Sequence, residues 1–380
     1  MRIGIETDGL QEGLDEGGRA RVTNGGVGVY VYNLIKNLQK LGGGHQYFLL
    51  RHGPGRLDVF EGAESYIERS GRFDAVARGL DLLPCRAAKK LSLDLVHFPN
   101  QFGGMLLSPR TRRVVTLHDL TPILYPQFHP TRSVVGYKLL MKRSLRRADQ
   151  VIVDSRATGE ELLQAGLVEP HKLTHVPLGV TNEFRPGIRT TSFQRRFQLP
   201  DRYILSVGVL EPRKNHRLLY EVIDRLRREG EEISLVIAGR RGWKWSDPLN
   251  DSRFVHLRFS VRIIRDVPDA DMAELYGRAT AFAYPSFHEG FGLPVLEAMA
   301  CGVPVVVSDC SSLPEVAGEA GLLADPQDPA SFAAQILRTL RESALRELMI
   351  AKGLSLARRF SWDATARGTL DVYNRVLGVQ

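Results

Sequence analysis

The sequence predicts an α/β protein built from two domains. Strand-like and helix-like segments alternate through both halves of the chain, as they do in parallel sheets covered by helices. Some strand candidates, such as residues 303–307, are continuous apolar runs, which is typical of strands buried on both faces. With 380 residues, the chain is also longer than one hydrophobic core usually supports.

The composition is that of an ordinary soluble globular protein, with 43% hydrophobic and 25% charged residues. No apolar stretch approaches the roughly 20 residues of a membrane-spanning helix. The N-terminal residues MRIGIETDGL lead into a strand, which argues against a signal peptide. Cys85, Cys301 and Cys310 lack metal-site spacing and are expected to be free thiols. We therefore expect a cytoplasmic protein.

The net charge of +8 permits an anionic partner, whether nucleic acid, membrane or small ligand. The sequence contains no helix-turn-helix, zinc-finger or RNA-recognition pattern, and its basic residues are spread along the chain. We therefore expect no nucleic-acid partner. A non-catalytic basic protein that binds polyanions, with a steep salt dependence, remains an alternative.

The first half begins with a strand candidate at residues 2–7. The polar stretch that follows, residues 8–24, is long for a connection inside a compact domain. It ends in a glycine-rich turn, where Gly25 and Gly26 lead into a helix. Such a turn suits the approach of a phosphate or sugar, and a surface turn without a ligand is the alternative.

Further strands are expected at residues 47–51, 93–98, 113–117 and 150–154. The third runs into His118 and Asp119. Open α/β sheets bind ligands at the carboxyl ends of their strands, so His118 is a candidate ligand contact. The alternative is a histidine satisfied by local backbone. After the fourth strand, Asp154 or Ser155 is expected to cap the next helix.

Residues 137–147 form an amphipathic helix. One face carries Tyr137, Met141, Leu145 and Ala148, and the other carries Lys138, Lys142, Arg143, Arg146 and Arg147. The helix either packs its apolar face on the sheet as a plain surface helix or also makes peripheral contact with an anionic membrane.

The domain linker is expected near residues 180–200, where Pro186, Gly187 and Pro200 cluster. After it, a buried strand at 203–208 leads through VLEPRKN to a helix at 216–228. Arg213 and Lys214 then stand at the carboxyl edge of a strand. There a planar arginine and a compact lysine suit a diphosphate, and a pair of solvated loop charges is the alternative.

Two other features of the second half have alternative interpretations. Trp243, in the loop after the strand at 233–238, either stacks on a base or packs at the domain surface. Asp269 and Asp271 have the D-x-D spacing of some metal sites. Because a helical pattern follows them, we expect Asp269 as an N-cap and no metal ion.

The densest pattern is SFHEGFGLPVLEAMACGVPVVVSD, residues 286–309. A glycine-rich loop leads into a helix that opens at Leu293, with proline at the next position. The N–H groups of Phe291, Gly292 and Leu293, at the positive end of that helix, suit an anion. Glu289 precedes the helix and Glu297 is expected in its first turn. The alternative is two glutamates with purely local roles.

These segments resemble the retaining GT-B glycosyltransferases of family 4. Residues 288–306 align without a gap with the family's E-x7-E signature, and TLHDL, EPRKN and the final FSWDATARGTLDVYNRVL are also similar. The chain departs from the family at Leu178, Asn182 and Val209, where asparagine, aspartate and arginine are usual.

The resemblance covers nearly the whole chain and implies two facing Rossmann-like domains with parallel sheets. We expect an acceptor-side domain at residues 1–185 and a nucleotide-sugar-binding domain at residues 186–360. The closing helix at residues 361–380 would cross back to the first domain.

The resemblance also implies transfer of a hexose from a nucleotide diphosphate sugar with retention of configuration. Glu289 would contact the sugar beside the developing oxocarbenium, and Glu297 would bind the ribose. Arg213 and Lys214, with the N–H groups at the helix start, would stabilise the leaving diphosphate.

From the first domain, His118 and Gly26 would complete the site on closure. The departing phosphate would take the acceptor's proton, so neither a protein base nor a cofactor is implied. The segments EPRKN and AGRRGW look similar to bacterial mannosyltransferases of surface polysaccharide assembly, which favours GDP-mannose and a glycan or lipid-linked glycan acceptor. A UDP-linked hexose, or a related phosphorylase or epimerase, remains open.

Overall fold

The structure is a computed structural model. It describes residues 1–8, 12–14, 20–22, 25–42, 44–52, 60, 63–68, 82–100, 103–187 and 190–379. The chain divides into two compact units. Unit 1 comprises Met1–Leu124, Thr131–Gly179 and Ser361–Gln380, and unit 2 comprises Tyr125–Pro130 and Val180–Phe360.

The described part of unit 1 is centred on one parallel sheet. Its strands are β1 (Arg2–Glu6), β4 (Gln46–His52), β5 (Glu64–Glu68), β6 (Leu95–Phe98), β7 (Arg112–Leu117), β8 (Gln150–Val153) and β9 (Leu173–His175), in the order β5-β4-β1-β6-β7-β8-β9. Two short strands, β2 (Glu12–Leu14) and β3 (Ala20–Val22), pair antiparallel within the polar stretch of residues 8–24.

The helices of unit 1 are α1 (Gly25–Leu41), α2 (Leu82–Lys90), α3 (Thr121–Leu124), α4 (Thr131–Arg147), α5 (Arg156–Gln164) and α13 (Trp362–Leu377). The predicted amphipathic pattern is confirmed in α4, since Tyr137, Met141 and Leu145 are buried in the core against the sheet. Ser155, rather than Asp154, caps α5 by accepting from the Thr158 N–H.

Helix α1 begins at Gly25, so the predicted glycine-rich turn is partly a first helical turn. Asn24, the residue before it, lies outside the described residues. Gly25 has a φ of 61°, which glycine adopts without the steric cost that a side chain would bring. The glycines there shape the start of the helix.

The predicted return of the last helix is confirmed, because α13 packs along α1 within unit 1. The Tyr373 hydroxyl lies 2.6 Å from His97 Nδ1, and His97 Nε2 lies 2.8 Å from the Thr116 hydroxyl. That hydroxyl in turn lies 3.0 Å from the Tyr30 hydroxyl. A buried chain of hydrogen bonds therefore connects α13, the sheet and α1.

Unit 2 has its own parallel sheet. Its described strands are β10 (Tyr203–Val207), β11 (Ser234–Ala238), β12 (Val261–Ile264), β13 (Ala281–Tyr284), β14 (Val305–Ser308) and β15 (Leu322–Ala324), in the order β12-β11-β10-β13-β14-β15. The alternation of strands and helices expected from the sequence is therefore confirmed in both units.

The helices of unit 2 are α6 (Thr191–Phe197), α7 (His216–Arg228), α8 (Asp269–Gly277), α9 (Leu293–Ala300), α10 (Leu313–Ala317), α11 (Pro329–Arg341) and α12 (Ser343–Ala357). Helix α6 lies inside the predicted linker, capped by the Thr190 hydroxyl. Residues 188 and 189 of that linker lie outside the described part of the chain.

The prediction that Asp269 caps a helix is wrong. Helix α8 begins at Asp269 itself, and the N-cap position is occupied by Pro268. Asp269 and Asp271 both lie in the first turn, where carboxylates interact favourably with the positive end of the helix.

Candidate active site

The candidate site in unit 2 is built where β10 meets α7. After β10, a short 3-10 turn at Pro212–Lys214 precedes Asn215, whose φ of 53° lies in the left-handed region. Asparagine tolerates this conformation better than most residues. The tight turn directs the Lys214 side chain inward, so that Lys214 is buried.

Glu289 is the centre of the cluster. One of its carboxylate oxygens accepts from Lys214 Nζ at 2.6 Å, and the other lies 3.0 Å from Arg213 Nη1. The Ser286 hydroxyl donates to the first oxygen as well. Lys214 Nζ also donates to the Tyr284 hydroxyl at 2.6 Å. Both candidate cations therefore contact the same buried carboxylate.

The electrostatics of the cluster keep Glu289 ionised. Burial by itself would raise its pKa, but the charges of Arg213 and Lys214 and the hydrogen bonds to the carboxylate outweigh burial and lower the pKa to about 2. Burial lowers the pKa of Lys214, and the Glu289 carboxylate opposes that shift. Glu289 therefore carries a negative charge throughout the neutral range.

A second buried carboxylate, Glu211, was not singled out from the sequence. Its Oε1 accepts from Arg213 Nη2 at 2.7 Å, and the Glu211 side chain is itself buried. Arg213 therefore lies between two carboxylates, and Arg213 Nη1 also donates to the His288 carbonyl at 2.6 Å. Glu211 is the first residue of EPRKN, so the motif already contained a signal for it.

Helix α9 opens beside this cluster. Gly292 has a φ of 111°, and a Cβ there would come within 2.9 Å of Leu313 Cδ2, so the position requires glycine. The Ser312 hydroxyl shares its single hydrogen between the carbonyls of Glu289 and Phe291, at 2.9 and 2.7 Å, and fixes the loop. The N–H groups of Phe291, Gly292 and Leu293 donate to no other described residue. They are available to an anion.

Glu297 lies outside the first turn of α9, contrary to the prediction, because it is the fifth residue of the helix. Its Oε2 accepts from the Tyr276 hydroxyl at 2.7 Å. Burial raises the pKa of Glu297 to about 7, against the effect of that hydrogen bond. At neutral pH, Glu297 is therefore partly protonated whereas Glu289 is ionised, although both belong to the same motif.

In unit 1, His118 lies at the end of β7 and is buried. Its Nδ1 lies 2.6 Å from Asp154 Oδ2, and its Nε2 lies 2.9 Å from the Pro99 carbonyl. Burial lowers the pKa of His118, but the Asp154 carboxylate and both hydrogen bonds reverse this, so the pKa is raised overall. Both ring nitrogens of His118 are therefore engaged within unit 1, by the Asp154 carboxylate and the Pro99 carbonyl.

The remaining predicted residues are more exposed. Gly26 lies in the first turn of α1 and is exposed. The Trp243 indole N–H donates to the Phe128 carbonyl at 2.6 Å, so this part of the ring packs against the protein. The basic residues of α4, namely Lys138, Lys142, Arg143, Arg146 and Arg147, are all exposed and together line one shallow hollow.

Solved structures share this fold. Sucrose-phosphate synthase from Thermosynechococcus elongatus superimposes with a TM-score of 0.76 at 22% identity, covering 99% of both chains. The Anabaena protein HepE, crystallised with UDP and glucose, superimposes with a TM-score of 0.74 at 16% identity, covering 98% of this chain and 99% of its own.

Two family models match consecutive parts of the chain. The model described as Glycosyltransferase Family 4 matches residues 24–184, and that described as Glycosyl transferases group 1 matches residues 188–355. The O-antigen chain mannosyltransferase B of Escherichia coli is 33% identical over 371 residues, covering 92% of this chain and 95% of that protein. The chain belongs to the GT-B glycosyltransferases of family 4.

This glycosyltransferase is also similar to part of a longer protein, the serotype-specific mannosyltransferase WbdA of Escherichia coli. They are 27% identical over 337 residues, which cover 83% of this chain and 40% of WbdA. The similarity to named mannosyltransferases supports the resemblance inferred from EPRKN and AGRRGW.

The candidate site combines residues that were predicted from the sequence with residues that only the structure reveals. Arg213, Lys214 and Glu289 lie together within unit 2, with Phe291, Gly292 and Leu293 in the adjoining loop. Tyr284 and Ser286 also contact the cluster, but a hydroxyl on a buried strand or loop carries no sequence signal of its own.

Two further properties of the glycosyltransferase concern membranes and metals. Among the described residues, no helix has both the length and the apolar character needed to cross a bilayer. In the same part of the chain, no three His, Cys, Asp or Glu side chains are grouped so that they would hold a metal ion.

Proposed function

We propose that this glycosyltransferase transfers mannose, with retention of configuration, from GDP-mannose to a glycan or lipid-linked glycan. The observation that carries the proposal is the buried cluster of Arg213, Lys214 and Glu289 beside the open N–H groups of the α9 loop. The choice of mannose is supported by the 33% identity to an O-antigen chain mannosyltransferase.

The cluster suits the charges that develop in glycosyl transfer. A departing nucleoside diphosphate gains negative charge, which Arg213, Lys214 and the N–H groups of Phe291, Gly292 and Leu293 would stabilise. The sugar gains positive charge, which the carboxylate of Glu289 would stabilise while accepting hydrogen bonds from sugar hydroxyls.

Glu289 is a poor candidate for the general base, because a carboxylate whose pKa is about 2 binds the proton of the acceptor hydroxyl only weakly. This supports a mechanism in which the departing phosphate itself takes the proton of the acceptor hydroxyl. Such a mechanism transfers the sugar to the face that the leaving group vacates, which retains the configuration.

The other predicted residues complete the proposal. Glu297 would accept hydrogen bonds from the ribose hydroxyls, and His118 and Gly26 would contribute from unit 1. We propose that no metal ion is required, since two cations and the N–H groups already provide positive charge for the diphosphate. A lipid-linked acceptor would place the protein in the cytoplasm, peripherally on a membrane surface.

The test begins with a thermal-shift screen of GDP, UDP, ADP and their sugars, with and without EDTA. A shift with GDP and GDP-mannose that EDTA leaves unchanged is expected, because a ligand at about 100 times its Kd adds roughly 2.7 kcal/mol. Transfer from GDP-mannose to a mannose-containing saccharide is then followed by NMR. An α-linked product supports retention, whereas sugar phosphate, an isomerised donor or no nucleotide binding would contradict the proposal.

A further inference from the structure

We propose that Glu289 is an exchangeable anion: in the donor-free protein its carboxylate occupies the two cations of the site, and the donor's diphosphate displaces it. The inference rests on the proposed function, because it assumes that Arg213 and Lys214 bind the diphosphate. It adds a donor-driven switch to that site.

The contacts show that the cations are already engaged. One oxygen of Glu289 lies 2.6 Å from Lys214 Nζ, and the other lies 3.0 Å from Arg213 Nη1. Each oxygen therefore serves one cation. Two oxygens bridging two cations is also the arrangement that a phosphate group would adopt, so the carboxylate and a phosphate compete for the same donors.

The charge balance of the buried cluster argues against simultaneous binding. Arg213 and Lys214 are balanced by Glu211 and Glu289, and the four side chains have relative exposures of 13%, 10%, 2% and 9%. A diphosphate added to this set would bring further negative charge next to two carboxylates with little water to screen it. Moving one carboxylate away costs less than burying an excess of like charge.

Glu289, rather than Glu211, is the carboxylate free to move. Glu211 contacts only Arg213 among the two cations, through Nη2, so it can hold the planar guanidinium in place while Nη1 exchanges Glu289 for the ligand. The backbone of Glu289 is held by the hydroxyls of Ser311 and Ser312, so its displacement would be a rotation of the side chain away from the two cations.

Displacement of Glu289 would couple recognition of the donor's diphosphate to recognition of its sugar. A displaced Glu289 carboxylate needs new hydrogen-bond donors, and the hydroxyls of the donor sugar provide them. Binding of the diphosphate would therefore release the residue that recognises the sugar. A nucleoside diphosphate without a sugar can displace Glu289 but offers it no sugar hydroxyls. Its affinity therefore measures the competition between the phosphate and the Glu289 carboxylate directly.

The test is the affinity of GDP, UDP and inorganic pyrophosphate for wild type and E289Q, measured by isothermal titration calorimetry. The neutral amide competes less well for the cations. We expect E289Q to bind whichever nucleoside diphosphate wild type binds at least about tenfold more tightly, a change typical of one charge-assisted hydrogen bond. Turnover of the sugar donor should nevertheless be lost.

Two glutamate-to-glutamine variants serve as controls. E297Q changes the other glutamate of the same motif, which does not contact the cations, so its affinity for the nucleoside diphosphate should fall or stay the same. E319Q removes an exposed carboxylate paired with Lys352 at 3.0 Å and should leave affinity unchanged. Equal or weaker binding by folded E289Q overturns the inference.

The outcomes separate the inference from the proposed function. If wild type binds no nucleoside diphosphate, the proposed function fails; if it binds one and E289Q binds no better, the exchange alone fails. Should E289Q not fold, S286A replaces it, because Ser286 carries no charge and donates to the same Glu289 oxygen that accepts from Lys214. S286A should strengthen binding by a smaller factor, and unchanged or weaker binding would again overturn the exchange.

Discussion

At the scale of single residues, Lys214 is held in the candidate site by its contacts with neighbouring buried side chains. Its ammonium group donates to the Tyr284 hydroxyl and to Glu289 and is buried with them. A lysine held in this way presents a fixed positive charge in a site that excludes most water. Such charges stabilise a leaving group more effectively than mobile ones, because they need no reorganisation during the reaction.

We expect Lys214→Met to lower kcat by roughly 10²- to 10³-fold, the usual effect of losing one preorganised donor to a developing anion. Methionine keeps much of the apolar stem, and Arg213 still pairs with Glu289, so the fold should persist. Steady-state kinetics with the donor sugar, together with circular dichroism, would check this. Lys352→Met, at an exposed ion pair, is the matched control, and near-normal turnover by K214M would refute the assignment.

Glu297 makes stability depend on pH in a predictable direction. Its pKa is 4.5 in a model peptide and about 7 in the folded protein, so the native state holds a proton that the unfolded state has lost. The stability that this proton contributes is fully present below pH 4.5 and disappears as the pH rises through about 7.

We therefore expect wild type to lose on the order of 2 kcal/mol of stability relative to E297Q across that interval. Urea unfolding of both proteins at pH 5 and pH 8 would measure the difference, in which other titrating groups cancel. Parallel pH dependence of wild type and E297Q would mean that Glu297 is ionised with an ordinary pKa.

At the scale of elements, α13 closes unit 1 through polar contacts as well as apolar ones. His97 is fully buried, and burial, reinforced by the nearby His118, lowers its pKa to about 3, so its ring is neutral. One ring nitrogen is engaged by Tyr373 and the other by Thr116. Loss of either partner would leave a buried nitrogen unsatisfied.

We expect Tyr373→Phe to destabilise the protein by about 1–3 kcal/mol, the usual cost of an unsatisfied buried polar group. Thermal and urea unfolding would measure the change. Asp371→Asn, an exposed substitution on the same helix, should be nearly neutral. If Y373F unfolds at the same denaturant concentration as wild type, the hydrogen bond does not hold α13 in place.

At the scale of the whole molecule, part of the positive charge behind the net +8 is clustered on α4. The exposed basic residues of this helix lie opposite its buried face, so they are free to meet an anionic surface without disturbing the core. Each basic side chain near such a surface contributes about 1 kcal/mol of attraction.

We expect the triple substitution of Lys142, Arg143 and Arg146 to glutamine to weaken binding to vesicles containing anionic lipid by roughly 10²-fold. Vesicle sedimentation at physiological salt would measure it. The matched control replaces three arginines on the outer face of α7, Arg225, Arg227 and Arg228, which lie in unit 2. Equal loss in both variants would indicate nonspecific attraction by net charge.

Much of the architecture was determined by the sequence alone. Apolar runs such as 203–208 and the period of residues 216–228 are local properties, and they predicted β10 and α7 almost to the residue. The order of strands and helices fixed the α/β class. The E-x7-E block and EPRKN, through their resemblance to family 4, predicted Glu289, Arg213 and Lys214 as candidate site residues.

The partners of those residues were decided only by the tertiary structure. Crossing from β10 to β13 brings Tyr284 and Glu289 to Lys214, although about seventy positions separate them along the chain. Burial raises the pKa of both glutamates of the motif, but the two cations beside Glu289 reverse that shift, whereas Glu297 contacts only a phenol and keeps it. Local pattern cannot encode such differences, because desolvation and Coulomb interactions depend on neighbours that only the folded chain assembles.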